Sequence, residues 1–244
     1  MPEGPTIVIL KEEAQIFTGK KIIEVSGNTK IDKNRFQDQT VLEFRSWGKH
    51  FLIRMKDFTI RIHFMLFGSY AINSQRINRA PRLQLVFDNG EINFYACSVK
   101  ILEGDLEKQY DWCTDVMHDC WNEAKAKEKL EALPGKLVCD ALLDQDIFAG
   151  VGNIIKNEVL FRIMVHPESP IGKLPAAKKK ELIKEARNYS FQFLEWKRIF
   201  ELKQHYQVHT RSICPRCNIP LVRKHLGTTH RRSFFCTNCQ KLYA

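Results

Sequence analysis

Cys214-Pro215-Arg216-Cys217 and Cys236-Thr237-Asn238-Cys239 are two CxxC pairs that are separated by 18 residues. Two pairs at this separation fit a tetrahedral zinc site of four thiolates, because each pair spans one edge of the tetrahedron. Such a site leaves no coordination position for an activated water molecule, so its role is structural. We therefore predict one structural Zn2+ ion on Cys214, Cys217, Cys236 and Cys239. Four unrelated thiols or two disulfides are the alternatives.

The distribution of charge indicates an anionic partner. The chain has 38 Lys and Arg residues against 28 Asp and Glu residues, a formal net charge of +10. No acidic residue follows Glu201, whereas eight basic residues do: Lys203, Arg211, Arg216, Arg223, Lys224, Arg231, Arg232 and Lys241. Four thiolates on one zinc ion would offset two of these charges and leave about +6 on a small module. Such a module is typical of phosphate binding, and charge that only maintains solubility is the alternative.

The other chemically informative stretch is Met1-Pro2-Glu3-Gly4-Pro5. Removal of Met1 would expose a prolyl amine, and a chain amine has a pKa of roughly 7.7–8.0, well below that of Lys. A secondary amine that attacks a sugar C1′ forms a positively charged iminium directly, which makes it a good covalent nucleophile. Glu3 is placed to move protons during that attack. The alternative is an ordinary Pro- and Gly-rich start before a helix.

Composition sets broader limits. With 244 residues, 44% of them hydrophobic, the chain can bury one core of moderate size and smaller ones beside it. No apolar run approaches a membrane span and no signal peptide precedes Pro2, so we expect a cytoplasmic protein of bacterial type without a membrane partner. Four further cysteines have no framework spacing, and we expect them to be reduced, partly buried thiols: Cys97, Cys113, Cys120 and Cys139.

The hydrophobic pattern divides the chain. Helical spacing covers residues 3–18, and Gly19 ends that helix. A series of short β-rich segments follows, which predicts a β-sandwich: Lys21–Ser26, Thr40–Trp47, His50–Arg54, Thr59–His63, Ser69–Asn73, Arg82–Phe87 and Glu91–Tyr95. From about Asp119 to Phe200 the pattern is helical. The predicted helices there are Glu123–Leu133, Leu137–Leu143, Asn153–Phe161 and a long basic helix that Pro175 opens.

Ala149-Gly150-Val151-Gly152-Asn153 leads into one of these helices. Two glycines allow the backbone to approach a ligand closely, and Asn153 is expected to cap the helix. Exposed N–H groups at a helix start favour an anion such as a phosphate. An ordinary turn and cap is the alternative.

Three motifs in this order resemble the formamidopyrimidine-DNA glycosylase/endonuclease VIII family: Pro2-Glu3-Gly4-Pro5, Gly150-Val151-Gly152-Asn153 and the cysteine pairs with Arg231-Arg232-Ser233-Phe234-Phe235-Cys236. The resemblance implies an α+β multidomain fold. Its parts would be an N-terminal β-sandwich with a flanking helix (1–118), a helix–two-turn–helix domain (119–207) and a four-cysteine zinc finger (208–244). It also implies a monomer that binds damaged double-stranded DNA, is associated with the nucleoid through DNA, excises oxidised bases and cleaves the strand at the abasic site.

The resemblance assigns roles by motif. Pro2 would be the nucleophile, Glu3 the proton donor and acceptor, and Lys49 and Arg231 the catalytic cations at the lesion phosphate. The remaining DNA-binding residues would be His63, Met65, Leu66, Phe67, Gly152, Asn153, Lys156 and Arg232. Without the resemblance, Lys49 would be interpreted as a solvated turn charge and His63 as a satisfied strand residue.

Two departures bear on specificity. Relatives usually carry a second glutamate where this chain has Thr6, and the segment Phe200–Ile213 lacks the glycine-rich loop with which purine-specific members cover a flipped base. Met65-Leu66-Phe67 resembles the wedge of the endonuclease VIII branch, although core packing is the alternative. We therefore expect oxidised pyrimidines to be preferred. The alternatives are an oxidised-purine glycosylase, a relative that binds damage with reduced activity, and a non-catalytic zinc-ribbon module.

Overall fold

The computed structural model describes residues 2–244. They form two compact units, one that ends at Tyr110 and one that comprises Asp111–Ala244. The domain boundaries predicted at residues 118 and 207 stay predictions. Among the described residues, no helix is both long enough and apolar enough to cross a bilayer.

The first unit begins with helix α1 (Gly4–Ala14), for which Glu3 is the N-cap in an extended conformation. Pro5 fits the first turn because an N–H group there has no partner within the helix. One face of α1 is fully buried through Ile7, Leu10 and Ala14, at the spacing that places side chains on one side of a helix. A 3₁₀ turn, Gln15–Phe17, follows. The helix predicted over residues 3–18 is therefore confirmed, but its α-helical part ends at Ala14.

Eight strands follow α1 in the first unit. They are β1 (Glu24–Ser26), β2 (Glu43–Trp47), β3 (His50–Arg54), β4 (Phe58–His63), β5 (Ser69–Ile72), β6 (Leu83–Phe87), β7 (Gly90–Tyr95) and β8 (Ser98–Glu103). Two four-stranded antiparallel sheets result, in the orders β1-β6-β7-β5 and β2-β3-β4-β8. Inward side chains of both sheets share one core with α1, which confirms the predicted β-sandwich. Strand β8 was absent from the predicted set of strands. The short helix α2 (Leu106–Gln109) follows it.

The second unit carries four helices and a hairpin. They are α3 (Glu123–Glu131), α4 (Val138–Ala141), α5 (Asn153–Arg162), α6 (Ala176–Arg198), β9 (Val222–Leu226) and β10 (Arg231–Phe235). The two-turn segment between α4 and α5 contains the glycine motif, and the helices share one hydrophobic core with parts of the hairpin. The hairpin, the cysteine pairs and a small satellite core form the C-terminal finger.

Two buried carboxylates join these parts of the second unit. Glu158 on α5 is fully buried and accepts the backbone N–H groups of Gln207, Val208 and His209 at 2.9, 3.0 and 2.7 Å. Asp140 on α4 accepts the N–H groups of Thr228 and Thr229 at 2.9 and 3.2 Å. Charge-assisted bonds of this kind are among the stronger ones in proteins. They fix the segment after α6 and the β9–β10 turn against the helices.

Candidate functional site

Pro2 and Glu3 immediately precede α1. Pro2 is half-buried, and the side chain of Glu3 is fully buried. The carbonyl oxygen of Glu3 accepts the N–H groups of Thr6 at 2.9 Å and Ile7 at 3.3 Å. A carboxylate at this end of a helix is favoured by the helix dipole. Met1 lies outside the described residues, so the roles predicted for the Pro2 amine and for Glu3 stay predictions.

The β2–β3 turn and the end of β4 bring Lys49, His50 and His63 together. His50 and His63 are directly opposite each other in the ladder, with ring centroids 5.3 Å apart. Burial, followed by the charge of Arg61, lowers the pKa of His50 to about 3. Burial, followed by the charge of Lys49, also lowers the pKa of His63. Both imidazoles are therefore neutral at pH 7, where His63 can offer a phosphate a hydrogen bond while Lys49 supplies the charge.

Arg61 and Lys100 add positive charge to the same face, and neither was predicted from the sequence. They are direct cross-strand partners in the β4–β8 pair. Like charges at such positions are destabilising, and an anion bound at this surface would offset their repulsion. The signal in the sequence was the alternation of Arg61 and His63 with the buried Ile60 and Ile62, which places both polar side chains on one face.

Met65, Leu66 and Phe67 form a turn after β4 and do not pack in the core. Their exposed fractions are 57%, 40% and 81%, whereas Phe64 beside them is buried. The turn is closed by the Gly68 N–H group, which donates to the Phe64 carbonyl at 2.8 Å. The core-packing alternative is therefore wrong for this trio. Three adjacent exposed apolar side chains form a surface patch of the kind that often serves as an interaction site in proteins.

The glycine turn of the second unit presents the start of α5. Gly152 is the N-cap and Asn153 is the first helical residue, so the expectation that Asn153 caps the helix is wrong. Its side chain instead donates from Nδ2 to the carbonyl oxygen of Arg232 at 3.0 Å. The Oδ1 atom of Asn153 is buried and has no hydrogen-bond partner among the described residues. An unused hydrogen-bond acceptor therefore lies at the N-terminus of α5.

Further side chains of α5 hold strand β10 through hydrogen bonds. Lys156 is 1% exposed and donates to Ser233 Oγ at 2.9 Å, and Asn157 Oδ1 accepts the Phe234 N–H group at 3.2 Å. Lys156 therefore has an internal partner, and its contact with DNA stays a prediction. Arg231 and Arg232 are both exposed and alternate between the two faces of β10. These two exposed cations thus lie on a strand that α5 fixes in place.

The four finger cysteines form one cluster. Their sulfur atoms all lie within 4.8 Å of one another, and no other group of three or more His, Cys, Asp or Glu ligands is found in residues 2–244. Cys214 Sγ and Cys239 Sγ are 3.8 Å apart. Tetrahedral zinc with Zn–S bonds of about 2.3 Å requires sulfur separations of roughly 3.8 Å. The donor set and its spacing fit Zn2+, which would hold the finger together and supply no reaction step.

Two family models match the chain. Residues 1–98 match the formamidopyrimidine-DNA glycosylase N-terminal domain. Residues 115–191 match the H2TH domain of the same glycosylase. Together the two matches cover most of the chain and include Pro2, Lys49, His63 and Asn153.

Curated relatives are similar to this chain over most of its length. Endonuclease 8-like 3 of Bos taurus is 30% identical over 202 residues, which are 80% of this chain and 33% of the relative. Endonuclease 8-like 2 of Homo sapiens is 31% identical over 198 residues, which are 74% of this chain and 57% of the relative. The chain therefore spans about a third to somewhat over a half of these relatives.

Solved structures share the fold. A viral DNA glycosylase superposes with a TM-score of 0.86 at 18% identity, covering 98% of this chain and 100% of the other. The Lactococcus lactis formamido-pyrimidine DNA glycosylase, bound to DNA with an AP site, gives 0.85 at 20% identity, covering 98% and 99%. At these identities the likeness establishes the fold alone.

Proposed function

Because the chain belongs to the formamidopyrimidine-DNA glycosylase/endonuclease VIII family, we propose that it is a DNA glycosylase of base excision repair with AP lyase activity. The observation that carries the proposal is Pro2 next to a fully buried Glu3 at the start of α1. A prolyl amine and an adjacent carboxylate supply a nucleophile and a proton relay without a metal-bound water. The four-cysteine site of the finger is consistent with this proposal, because a zinc ion bound there would have a structural role and would supply no reaction step.

The proposed chemistry starts with Pro2 after Met1 has been removed. Its amine nitrogen attacks the sugar C1′, the C1′–N bond to the base breaks, and the base leaves with a proton. The amine nitrogen then loses its proton, the ring bond C1′–O4′ breaks as O4′ takes up a proton, and the iminium that results acidifies the C2′–H bond. Loss of that C2′ proton expels the 3′ phosphate by β-elimination. A second elimination would expel the 5′ phosphate. Glu3 donates and accepts the protons of these steps.

Damaged double-stranded DNA is the proposed partner of a monomeric protein. A base in the stack is out of reach at C1′, so the nucleotide must be flipped out at a cost of a few kcal/mol. In the first unit Lys49 and the neutral His63 contact phosphate. In the second unit the start of α5 and Arg231 do so, because helix N–H groups and guanidinium groups both favour phosphate oxygens.

We further propose that oxidised pyrimidines are preferred. The exposed Met65-Leu66-Phe67 turn has the apolar, adaptable character that fills a gap in stacked DNA without recognising the partner base. The segment after α6 has no glycine-rich cover, and Glu158 binds three of its N–H groups. Because this segment is short and held in place, it would leave the pocket for the flipped base uncovered. Thr6 supports the second candidate, a relative with reduced activity, because one carboxylate relay is absent.

A panel of duplexes tests the proposed preference. Thymine glycol and dihydrouracil should be excised faster than 8-oxoguanine opposite cytosine, with little dependence on the opposite base. Leu66→Ala should slow excision of thymine glycol more than cleavage of a pre-formed abasic site, which needs less flipping work. Ile77→Ala is the matched control, because Ile77 is 90% exposed in another loop. Faster excision of 8-oxoguanine, or equal effects of the two variants, would contradict the proposal.

A further inference from the structure

Cys113 and Cys120, which lie outside the zinc site, are neighbours in the segment that precedes α3. Their sulfur atoms are 3.0 Å apart. Cys120 is exposed and Cys113 is half-buried, whereas Cys97 and Cys139 are buried. A disulfide requires a separation of about 2.05 Å, so the two sulfur atoms need to approach by only about 1 Å. All four cysteines outside the finger are free thiols, as predicted, and the two of this pair are in contact.

Hydrogen bonds to backbone carbonyl oxygens hold the two cysteines near each other without help from their thiols. The Asn122 N–H group donates to the Cys113 carbonyl at 3.1 Å. Arg187 donates to the carbonyl oxygens of Val116 and His118 at 2.9 and 3.0 Å. The fold itself therefore closes the loop between the two cysteines. Forming the disulfide would restrict the chain only a little further.

A base adjoins the exposed thiol. His118 Nδ1 accepts the Cys120 N–H group at 3.2 Å, so this nitrogen carries no proton. Cys120 Sγ lies 3.1 Å from the same nitrogen, and Cys113 Sγ donates to Cys120 Sγ. The three groups form a relay in which the imidazole can take the thiol proton of Cys120, as a base does for other catalytic thiols.

We propose that Cys113 and Cys120 form a reversible intramolecular disulfide when the chain meets a low-molecular-weight disulfide such as oxidised glutathione. Cys120 is the attacking thiol: its proton passes to His118, and its sulfur displaces one glutathione thiolate to give a mixed disulfide. Cys113 then attacks the Cys120 sulfur and expels the second glutathione thiolate. Two protein thiols are oxidised, one glutathione disulfide is reduced to two thiols, and the two thiol protons end on glutathione.

Desolvation, followed by the Cys113 thiol, raises the pKa of Cys120 to about 11. Cys120 therefore rests as a thiol at neutral pH, and its attack requires the transfer of its proton to His118. The bond would enclose Thr114 and Val116, which pair with Ala149 through bonds of 2.9 and 3.1 Å. This inference does not depend on the proposed repair activity.

Peptide mapping of the full chain tests the proposal. The zinc-loaded protein is incubated with oxidised glutathione, alkylated with iodoacetamide after unfolding, and digested with trypsin. Residues 109–125 contain no Lys or Arg before Lys125, so one tryptic peptide carries both cysteines. We expect this peptide to lose two hydrogens and to take up no alkyl group, and dithiothreitol should restore both sites. The peptides that contain Cys97 and Cys139 should remain alkylatable and serve as internal controls.

Two variants separate the roles of the thiols. In Cys113→Ser, glutathione should remain attached to Cys120, because the resolving thiol is gone. In Cys120→Ser, Cys113 should stay alkylatable. Neither residue belongs to the proposed catalytic or zinc-binding set. Full alkylation of both cysteines in the oxidised wild-type protein, or a persistent glutathione adduct on its Cys120, would overturn the proposal.

Discussion

Asn153 Nδ2 donates a hydrogen bond to the carbonyl oxygen of Arg232 at 3.0 Å. The bond connects the first residue of α5 with the strand of the zinc finger that carries the exposed arginines. Two motifs far apart in the sequence are therefore parts of one surface in the second unit. The position of the Arg231 and Arg232 side chains is set by the main chain of β10, which α5 holds, so that substituting either side chain leaves this bond intact.

The two arginines should differ in their effect on DNA binding. Arg231→Ala should weaken binding and reduce the slope of log affinity against log salt by about 0.9, the value for one lost phosphate contact. Arg232→Ala, on the opposite face of the same strand, is the comparison, and we expect it to lower the slope less. Fluorescence anisotropy at several salt concentrations measures both slopes. A larger effect of Arg232→Ala would mean that the family motif is aligned one residue off.

Loss of the zinc site should affect the finger selectively. Cys236→Ser should reduce the zinc content from about one ion per chain to near zero and unfold the finger, because structural zinc supplies folding free energy. DNA affinity should fall while the β-sheet signals of the first unit persist in amide spectra. Cys120→Ser, which removes an exposed thiol outside the finger, should retain the metal. A zinc-free Cys236→Ser protein with wild-type affinity would refute a role of the finger in binding.

His50 predicts how the stability of the first unit depends on pH. Its folded-state pKa of about 3 lies below the unfolded value near 6.5, so the unfolded chain binds more protons below pH 6.5. The stability contributed by neutral His50 is complete above pH 6.5 and is lost as the pH falls towards 3. At pH 5 the loss should reach at most about 2 kcal/mol.

Urea unfolding at pH 7 and pH 5 measures this loss, and the NMR titration of the His50 ring locates its pKa. His50→Phe keeps an aromatic ring beside Trp47 and Tyr110 and should flatten the dependence on pH. An unchanged dependence in this variant, or a His50 titration near 6.5, would show that burial and the surrounding cations do not act as described.

The sequence predicted those features that depend on local pattern. The spacing of Cys214, Cys217, Cys236 and Cys239 indicated the zinc cluster because ligand spacing alone constrains the geometry. The Asp88-Asn89-Gly90 stretch between two of the predicted strands is typical of a hairpin turn, because few residues adopt the required backbone conformation, and the structure has the β6–β7 hairpin there. Exposed apolar residues were harder: Met65-Leu66-Phe67 fitted a core strand and a surface turn equally well, and only the fold decided between them.

Features that depend on pairing across the chain were not predictable in this way. Nothing in the order of residues placed Arg61 opposite Lys100, because strand register is set by the packing of the whole sheet. The burial of Lys156 against Ser233 needed the docking of the finger on α5. The spacing of Cys113 and Cys120 matches no known framework. Only the fold shows that the turn between them brings their sulfur atoms into contact.

The identity of the nucleophile is the central claim, and borohydride trapping tests it most directly. Protein with Met1 removed, as verified by intact mass, is incubated with abasic duplex and borohydride, and the cross-linked peptide is sequenced. We predict a stable adduct on Pro2, and its loss when an N-terminal extension converts the amine to an amide. Undiminished trapping by the extended protein, with the cross-link on a lysine such as Lys49, would contradict the proposed mechanism.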